Sequence, residues 1–240
     1  MSENCADKVV NIKVLGVGGA GNNVVDRMIS RGIGGAEFVV VNTDLQALNK
    51  SKCENKVLIG EKLTGGMGAD ANPEIGKKSA EESRAAISKA IEGADMAVII
   101  AGMGGGTGTG AAPIIADLAH DAGILTVGIV TKPFRFEGAN RRKQAEAGIA
   151  SLSDKVDSLI IIPNDHLKYA TDQKITFANA FGIASDVLKR AVSAIYGYTT
   201  AKGTRSDENG MPDVKKRGTH NEFKKTGENA GSRNGHGKGC

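Results

Sequence analysis

The sequence predicts an α/β fold, a Rossmann-like parallel sheet with helices on both faces. Three observations lead there. Short apolar runs alternate along the chain with segments whose apolar residues recur at three- and four-residue spacing, the pattern of strands and helices taken in turn. The runs are nearly continuous in apolar residues, as strands buried on both faces require. Polar, glycine-rich stretches follow several runs, where an open parallel sheet places its ligands. Aromatics make up only 4% of the 240 residues, tryptophan is absent and 40% are hydrophobic, so the core is aliphatic.

The first strand, Asn11 to Val17, runs into Gly16-Val-Gly18-Gly19-Ala20-Gly21, and a helix follows from Asn22 to Ser30. A second strand, Phe38 to Val41, ends in Asn42-Thr43-Asp44. Glycines between strand and helix, with an acid about twenty residues on, form the dinucleotide-binding fingerprint, so an NAD-dependent oxidoreductase is one reading. It leaves a second glycine loop unexplained, and the chain offers no substrate domain and no histidine or lysine placed as a hydride-transfer acid. A short strand, Lys56 to Ile59, leads into Gly65-Gly66-Met67-Gly68-Ala69-Asp70-Ala71-Asn72-Pro73. Pro73 suits a first helical position with Asn72 as cap, opening a helix that runs to about Glu92.

Met96 to Ala101 is a buried strand, and Ala111 to His120 carries Ile114, Ile115, Leu118 and Ala119 at helical spacing. Ile124 to Val130 is the next strand. Thr131-Lys132-Pro133-Phe134-Arg135-Phe136-Glu137-Gly138 follows it, then a helix containing Arg141 and Arg142. Val156 to Ile162 is a further strand, before Pro163-Asn164-Asp165. The last periodic segment, Ile175 to Tyr196, sets Phe177, Phe181, Ala184, Leu188, Ala191 and Ile195 along one face, widened by Ile183, Val187 and Val192. It reads as a core helix with an apolar strip, Leu188 included, left for a second domain to cover.

Between the fourth strand and its helix lies the stretch that the rest serves to present, Gly102-Met-Gly104-Gly105-Gly106-Thr107-Gly108-Thr109-Gly110. Each glycine costs roughly 0.5–1 kcal/mol of extra backbone entropy to order. Bare backbone lets N–H groups approach a ligand, and a strand, a glycine loop and a helix N-terminus together converge on an anion. Thr107 and Thr109 add hydroxyl donors. A Walker A loop would end in Gly-Lys-Ser/Thr, and there is no lysine between Gly102 and Gly110, so that class is excluded.

Charge is uneven. Residues 1–200 carry 22 Lys/Arg and 22 Asp/Glu, and residues 201–240 carry 9 and 5, so the net +4 lies wholly in the last forty. That segment has eight glycines and, among Val, Ile, Leu, Met, Phe and Tyr, only Met211, Val214 and Phe223. It cannot bury enough surface to fold and is expected to be a disordered, solvated, basic tail; nucleic acid is not the expected partner. Cys5, Cys53 and Cys240 are too scattered for a disulfide framework or metal site, as are the four histidines. With no transmembrane segment and no signal-peptide pattern, a soluble cytoplasmic protein is expected.

GGGTGTG (104–110) closely resembles the signature of the tubulin and FtsZ family. Residues 11 to about 196 resemble the nucleotide-binding half of FtsZ, the bacterial tubulin-like division GTPases. The matching strings are GVGGAGNN (16–23), VNTD (41–44), ANPEIGKK (71–78), AGMGGGTGTGAAP (101–113), TKPFRFEG (131–138) and IPND (162–165). The resemblance implies GTP and GDP as ligands, with Mg²⁺ held through the nucleotide phosphates, and it assigns this chain no catalytic residue or metal ligand. It places Gly19, Ala20, Gly21, Asn22 and Asn23 on the α- and β-phosphates. Gly106, Thr107 and Gly108 meet β- and γ-phosphate oxygens, with Gly102, Gly104 and Gly105 in the same loop. Ala69, Asp70, Ala71 and Asn72 sense the γ-phosphate. Glu137 accepts from ribose hydroxyls, Arg141 spans sugar and phosphate, Asn164 meets the polar edge of guanine and Phe181 packs on the ring. Asn42 and Thr131 complete the set.

Two positions depart from the family pattern. Ser185 stands where the family has Asp or Asn against the base, which implies weaker guanine selectivity. Asp70 stands where glycine is usual, and its charge repels a γ-phosphate unless it points out or shares a Mg²⁺ ion.

The larger departure follows Tyr196. The family has a loop there whose aspartates activate water in the next subunit of a filament, then a second domain on a small sheet. Here Asp207-Glu208 and Pro212-Asp213-Val214 only faintly echo that loop. The expected organisation is a flexible N-terminus (1–10), a GTP-binding domain (11–174), a long core helix that would lead to the second domain (175–198) and the tail (199–240), with the C-terminal domain missing. The expectation is therefore a GTP-binding, filament-forming division protein, cytoplasmic at the division site, hydrolysing GTP by assembly-dependent catalysis but lacking the activating loop. Its expected partners are itself or full-length relatives in head-to-tail filaments, with division-ring proteins besides. The NAD-dependent oxidoreductase is the alternative from another class, and a regulatory or inert fragment capping full-length filaments is a third reading.

Overall fold

The computed structural model describes residues 10–32, 35–169 and 179–201, with the backbone alone at 167–169, 181 and 194–201. The flexible N-terminus expected over 1–9, the start of the last helix with Phe177, and the tail from 202 onward lie outside the described residues.

Among the described residues, six strands, β1 (Ile12–Val17), β2 (Glu37–Asn42), β3 (Asn55–Leu58), β4 (Met96–Gly102), β5 (Leu125–Lys132) and β6 (Ser158–Pro163), form one sheet in the order β3-β2-β1-β4-β5-β6. Every pairing is parallel. The register sets Val41, Val17, Ala101, Val130 and Ile161 in one row near the carboxyl ends of five strands, so the loops that follow leave the sheet at one level.

Among the described residues, eight α-helices accompany the strands: α1 (Gly18–Ser30), α2 (Leu45–Lys50), the single turn α3 (Glu61–Thr64), α4 (Pro73–Glu82), α5 (Arg84–Ile91), α6 (Thr107–Asp121), α7 (Ala139–Ser153) and, after β6, α8 (Ala180–Ala201). Alternate strand residues feed two cores. Leu15, Val17, Val39 and Ile99 meet Ala80 of α4, Ile87 and Ile91 of α5, Ile115 of α6 and Leu152 of α7. Val14, Val40, Val98 and Ile100 meet Val24, Val25 and Met28 of α1, Leu48 of α2, and Leu188 and Val192 of α8. At about 25 cal/mol per Å² of apolar area, these two layers supply the main stabilising term.

Three differences from the expected elements have physical causes. Helices α1 and α6 begin at Gly18 and Thr107, four residues before the expected Asn22 and Ala111. Glycine carries no side chain, so the first helical turn has no hydrophobic period to read. The helix expected from Pro73 to Glu92 is two, parted at Ser83. There Ser83 Oγ accepts from the Gly60 N–H at 2.9 Å, and the Glu82 carboxylate accepts from Lys62 and Leu63 N–H groups at 3.0 and 3.2 Å. Finally, Leu188 and Val192 are 2% and 1% exposed, so they belong to the core beneath α8 and not to an uncovered strip.

Candidate functional site

The strand order reverses between β1 and β4, and both glycine loops leave the sheet at that switch point, where open α/β sheets bind ligands. The loops deliver α1 and α6 to each other. Gly18 sits at φ +69°, and a Cβ there would stand 3.0 Å from the Gly108 backbone nitrogen. Gly21 packs so tightly that a Cβ would strike the Ile100 carbonyl oxygen and stand 2.8 Å from the Gly16 carbonyl carbon. Only bare backbone allows the two helix starts to meet this closely on the sheet edge.

Neither helix start is capped. No side chain bonds the first N–H groups of α1 or α6, and neither has an acidic residue in its first turn. The helices beside them differ. Asp44 Oδ1 accepts from Ala47 N–H at 3.0 Å to cap α2, and Asn72 Oδ1 accepts from Glu74 N–H at 3.0 Å to cap α4. Asp44, the acid of the dinucleotide reading, is therefore engaged in its own helix. Each uncapped N-terminus is equivalent to roughly +0.5 of an elementary charge. Two of them side by side make a focused anion site.

A cleft of about 430 Å³ opens over this junction, within the roughly 300–1,000 Å³ of ligand pockets. Of the residues expected to bind, Gly19, Ala20 and Asn23 line it from α1, and Gly102, Gly105, Gly106, Thr107 and Gly108 from the second loop. Thr131, Glu137, Arg141 and Asn164 form the far wall, and Ser185 closes it from α8. Glu137 Oε1 accepts from Phe134 N–H at 2.8 Å, and its Oε2 pairs with Arg141 at 2.7 Å, so this carboxylate is fixed at the rim. Asn164 is 4% exposed, and its Oδ1 is buried with no partner. An orphaned buried carbonyl costs about 1–3 kcal/mol, and the residue that carries it lines the cleft.

Other expected residues build the site without lining the cleft. With its amide nitrogen toward the loop, Asn22 donates to Gly16 and Gly18 carbonyls at 2.8 and 2.9 Å and accepts from Asn42 Nδ2 at 3.1 Å. Asn42 Oδ1 in turn accepts from Thr43 N–H at 2.9 Å. Gly104 N–H donates to Thr109 Oγ1 at 2.8 Å, so the Thr109 hydroxyl closes the loop on itself, and Thr109 is not among the described residues that line the cleft.

Ala69 to Asn72 form a turn closed by Asn72 N–H to the Ala69 carbonyl at 2.7 Å, and a Cβ on Gly106 would lie 2.8 Å from Ala69 Cβ. Asp70 and Ala71 take φ +45° and +56°, the left-handed region. Asp tolerates it, whereas alanine there costs about 1–2 kcal/mol. Asp70 is exposed at the tip of the turn. Phe181 is the second residue of α8, and its side chain is outside the described part.

Some lining residues carried no signal in advance. Leu188 and Ala184 were legible only as one helix face, Gly18 only as part of the glycine string, and Pro133 only as part of TKPFRFEG. Thr43, fully buried, shares a 2.7 Å hydroxyl bond with Thr107 and pins the start of α6 to the end of β2. A Mg²⁺ ion needs oxygen donors in octahedral array. Among the described residues no group of three or more His, Cys, Asp or Glu could hold a metal ion, so an ion bound here would draw most of its oxygen donors from phosphates and water. Among the described residues no helix is long and apolar enough to cross a membrane.

Comparison with known proteins follows the same lines. The family model of the Tubulin/FtsZ family, GTPase domain, matches residues 11–172. A structure of an empty FtsZ dimer from M. jannaschii is 44% identical with a TM-score of 0.77, over 80% of this chain and 55% of that one. The GDP-bound monomer of CetZ1 from Haloferax volcanii is 25% identical with a TM-score of 0.70, over 79% of this chain and 61% of that one. The chain thus spans little more than half the length of the FtsZ that it matches.

Proposed function

The chain belongs to the tubulin/FtsZ family, and from that premise we propose that it binds GTP and GDP in the cleft over the α1–α6 junction and takes part in assembly-dependent GTP hydrolysis. The observation that carries the reading is the pair of uncapped helix starts meeting at one point, in a cleft whose lining also includes Asn164 with its orphaned acceptor. A nucleotide has the matching chemistry: anionic phosphates at one end and ring N–H donors at the other.

The backbone N–H groups of Gly19 and Ala20 and the Asn23 side chain take the α- and β-phosphates. Those of Gly106, Thr107 and Gly108 take β- and γ-phosphate oxygens. Gly21, Asn22, Asn42 and Gly104 serve by holding these groups in place. The strained turn Ala69 to Asn72, touching Gly106, reads whether a γ-phosphate is present. Glu137 accepts from the ribose, Arg141 spans sugar and phosphate, Thr131 lies beside them, and Asn164 accepts from guanine. Phe181 covers the ring face. When bound, Mg²⁺ neutralises charge on the phosphates.

Hydrolysis needs a polarised water in line with the β–γ bond. Glu137 is the one carboxylate among the described lining residues, and Phe134 and Arg141 already hold it. The activating group therefore comes from a neighbour, a longer relative stacked head to tail. That FtsZ from M. jannaschii forms a dimer supports self-association. A place at the division site, with division-ring partners, belongs to the same reading. The test is titration of the purified chain with fluorescent GTP. GDP displaces it and ATP and NAD do not; displacement by NAD, or no guanine nucleotide binding, overturns the proposal.

A further inference from the structure

A second cavity, of about 370 Å³, lies between α1 and α8 and shares two lining residues with the cleft, Asn23 and Ser185. It is far roomier than the roughly 10–15 Å³ one water needs. Its other walls are polar and fixed by bonds of their own. Asp26 Oδ1 accepts from Ser51 Oγ at 2.6 Å and from Lys52 N–H at 2.8 Å, Arg27 pairs with Asp186 at 3.2 Å, and Lys52 Nζ donates to Ser30 Oγ at 2.9 Å. Gly182 adds no side chain, and a methyl there would stand 3.2 Å from the Arg27 guanidinium. Groups braced this way do not swing in to fill the space.

We infer that the base end of the cleft opens past Ser185 into this side pocket, so that the chain accepts guanine nucleotides bearing a short polar substituent on the exocyclic amine. The inference rests on the guanine reading above. Guanine presents its ring N–H and its 2-amino group side by side, and Asn164 Oδ1 is the unpartnered acceptor for that edge. With the edge at Asn164, the second amine hydrogen is left for the adjoining wall, which Ser185 forms. A longer side chain at this position would project into the opening; a serine leaves it clear. The lining selects polar substituents, since an apolar one would desolvate Asp26, Arg27 and Lys52 without replacing their water.

The test is calorimetric titration of the full chain with GDP and with GDP carrying a 2-hydroxyethyl group on the exocyclic amine. The native chain binds the derivative within about threefold of GDP, where a closed pocket rejects one extra methylene by roughly 10–200-fold. Gly182→Leu fills the side pocket from behind and weakens the derivative by about tenfold or more while leaving GDP unchanged. Ser185→Asn narrows the opening and raises the ratio of the two dissociation constants. A native chain that binds GDP but rejects the derivative overturns the inference alone, as does a Gly182→Leu chain that binds both as before. Failure to bind GDP overturns the proposed function and this inference with it.

Discussion

Replacing Asn164 by alanine separates a ligand-binding side chain from a structural one by the sign of its effect on stability. Asn164 opens the turn after β6, is 4% exposed, and leaves Oδ1 buried without a partner. That orphan costs the free protein about 1–3 kcal/mol, a penalty the substitution removes. Because the side chain lines an open cleft, truncation enlarges the cleft and creates no sealed void, so the cavity penalty is small. The net expectation is unchanged stability, or a gain of about 1 kcal/mol, which raises Tm by about 2–4 °C for a domain of this size. Binding moves the other way. The nucleotide loses its acceptor and keeps a desolvated N–H, costing about 1–3 kcal/mol, or roughly 5- to 150-fold in affinity for GDP. Thermal melts without nucleotide and calorimetry with GDP read the two effects separately. A Tm that falls by several degrees while GDP affinity holds would refute the reasoning and make Asn164 a structural residue.

The remaining predictions concern the glycines, the strained turn and the buried thiol. A Cβ at Gly19 meets nothing within 4 Å, so Gly19→Ala should be neutral or stabilising by about 0.5–1 kcal/mol yet weaken GDP binding. Gly21→Ala drives a methyl into the Ile100 carbonyl and should cost about 1–3 kcal/mol or more, measured by denaturant melts. Ala71→Gly relieves a positive φ and should stabilise the free chain by about 1 kcal/mol while reducing its discrimination between GTP and GDP. Burial pushes the Cys53 thiol up, so the unfolded chain ionises first as pH climbs past about 8.5. The thiol's contribution is then lost with rising pH, and the stability gap between native and Cys53→Ala chains should shrink above that pH and stay constant below it. Iodoacetamide should label native Cys53 far more slowly than the unfolded chain.

The sheet was legible because parallel strands buried on both faces read as unbroken apolar runs, and the row from Val41 to Ile161 follows once those runs pair in order. The glycine loops were legible as loops. Their conversion into first turns of α1 and α6 was not, because residues without side chains show no period. The roles of Thr109 and Asp44 turned on hydrogen bonds made after folding: one hydroxyl closes its own loop and one carboxylate caps its own helix, although each type could equally face a ligand. The break at Ser83 is set by the backbone N–H groups of the Gly60 to Leu63 segment, some twenty residues earlier, which no local pattern reveals. Leu188 looked like uncovered surface because the sequence does not say that α8 lies over the same sheet face as α1.

The central claim is that bare N–H groups at two adjoining helix starts grip the phosphates, and amide NMR of the labelled chain tests it most directly. Adding GDP should shift the amide protons of Gly19, Ala20, Gly106, Thr107 and Gly108 downfield as each donates to a phosphate oxygen. Guanosine, with the same base and sugar but no phosphate, should leave those five nearly unmoved while still perturbing the amides around Asn164 and Ser185. Five amides that stay put with GDP, or that move equally with guanosine, would contradict the account.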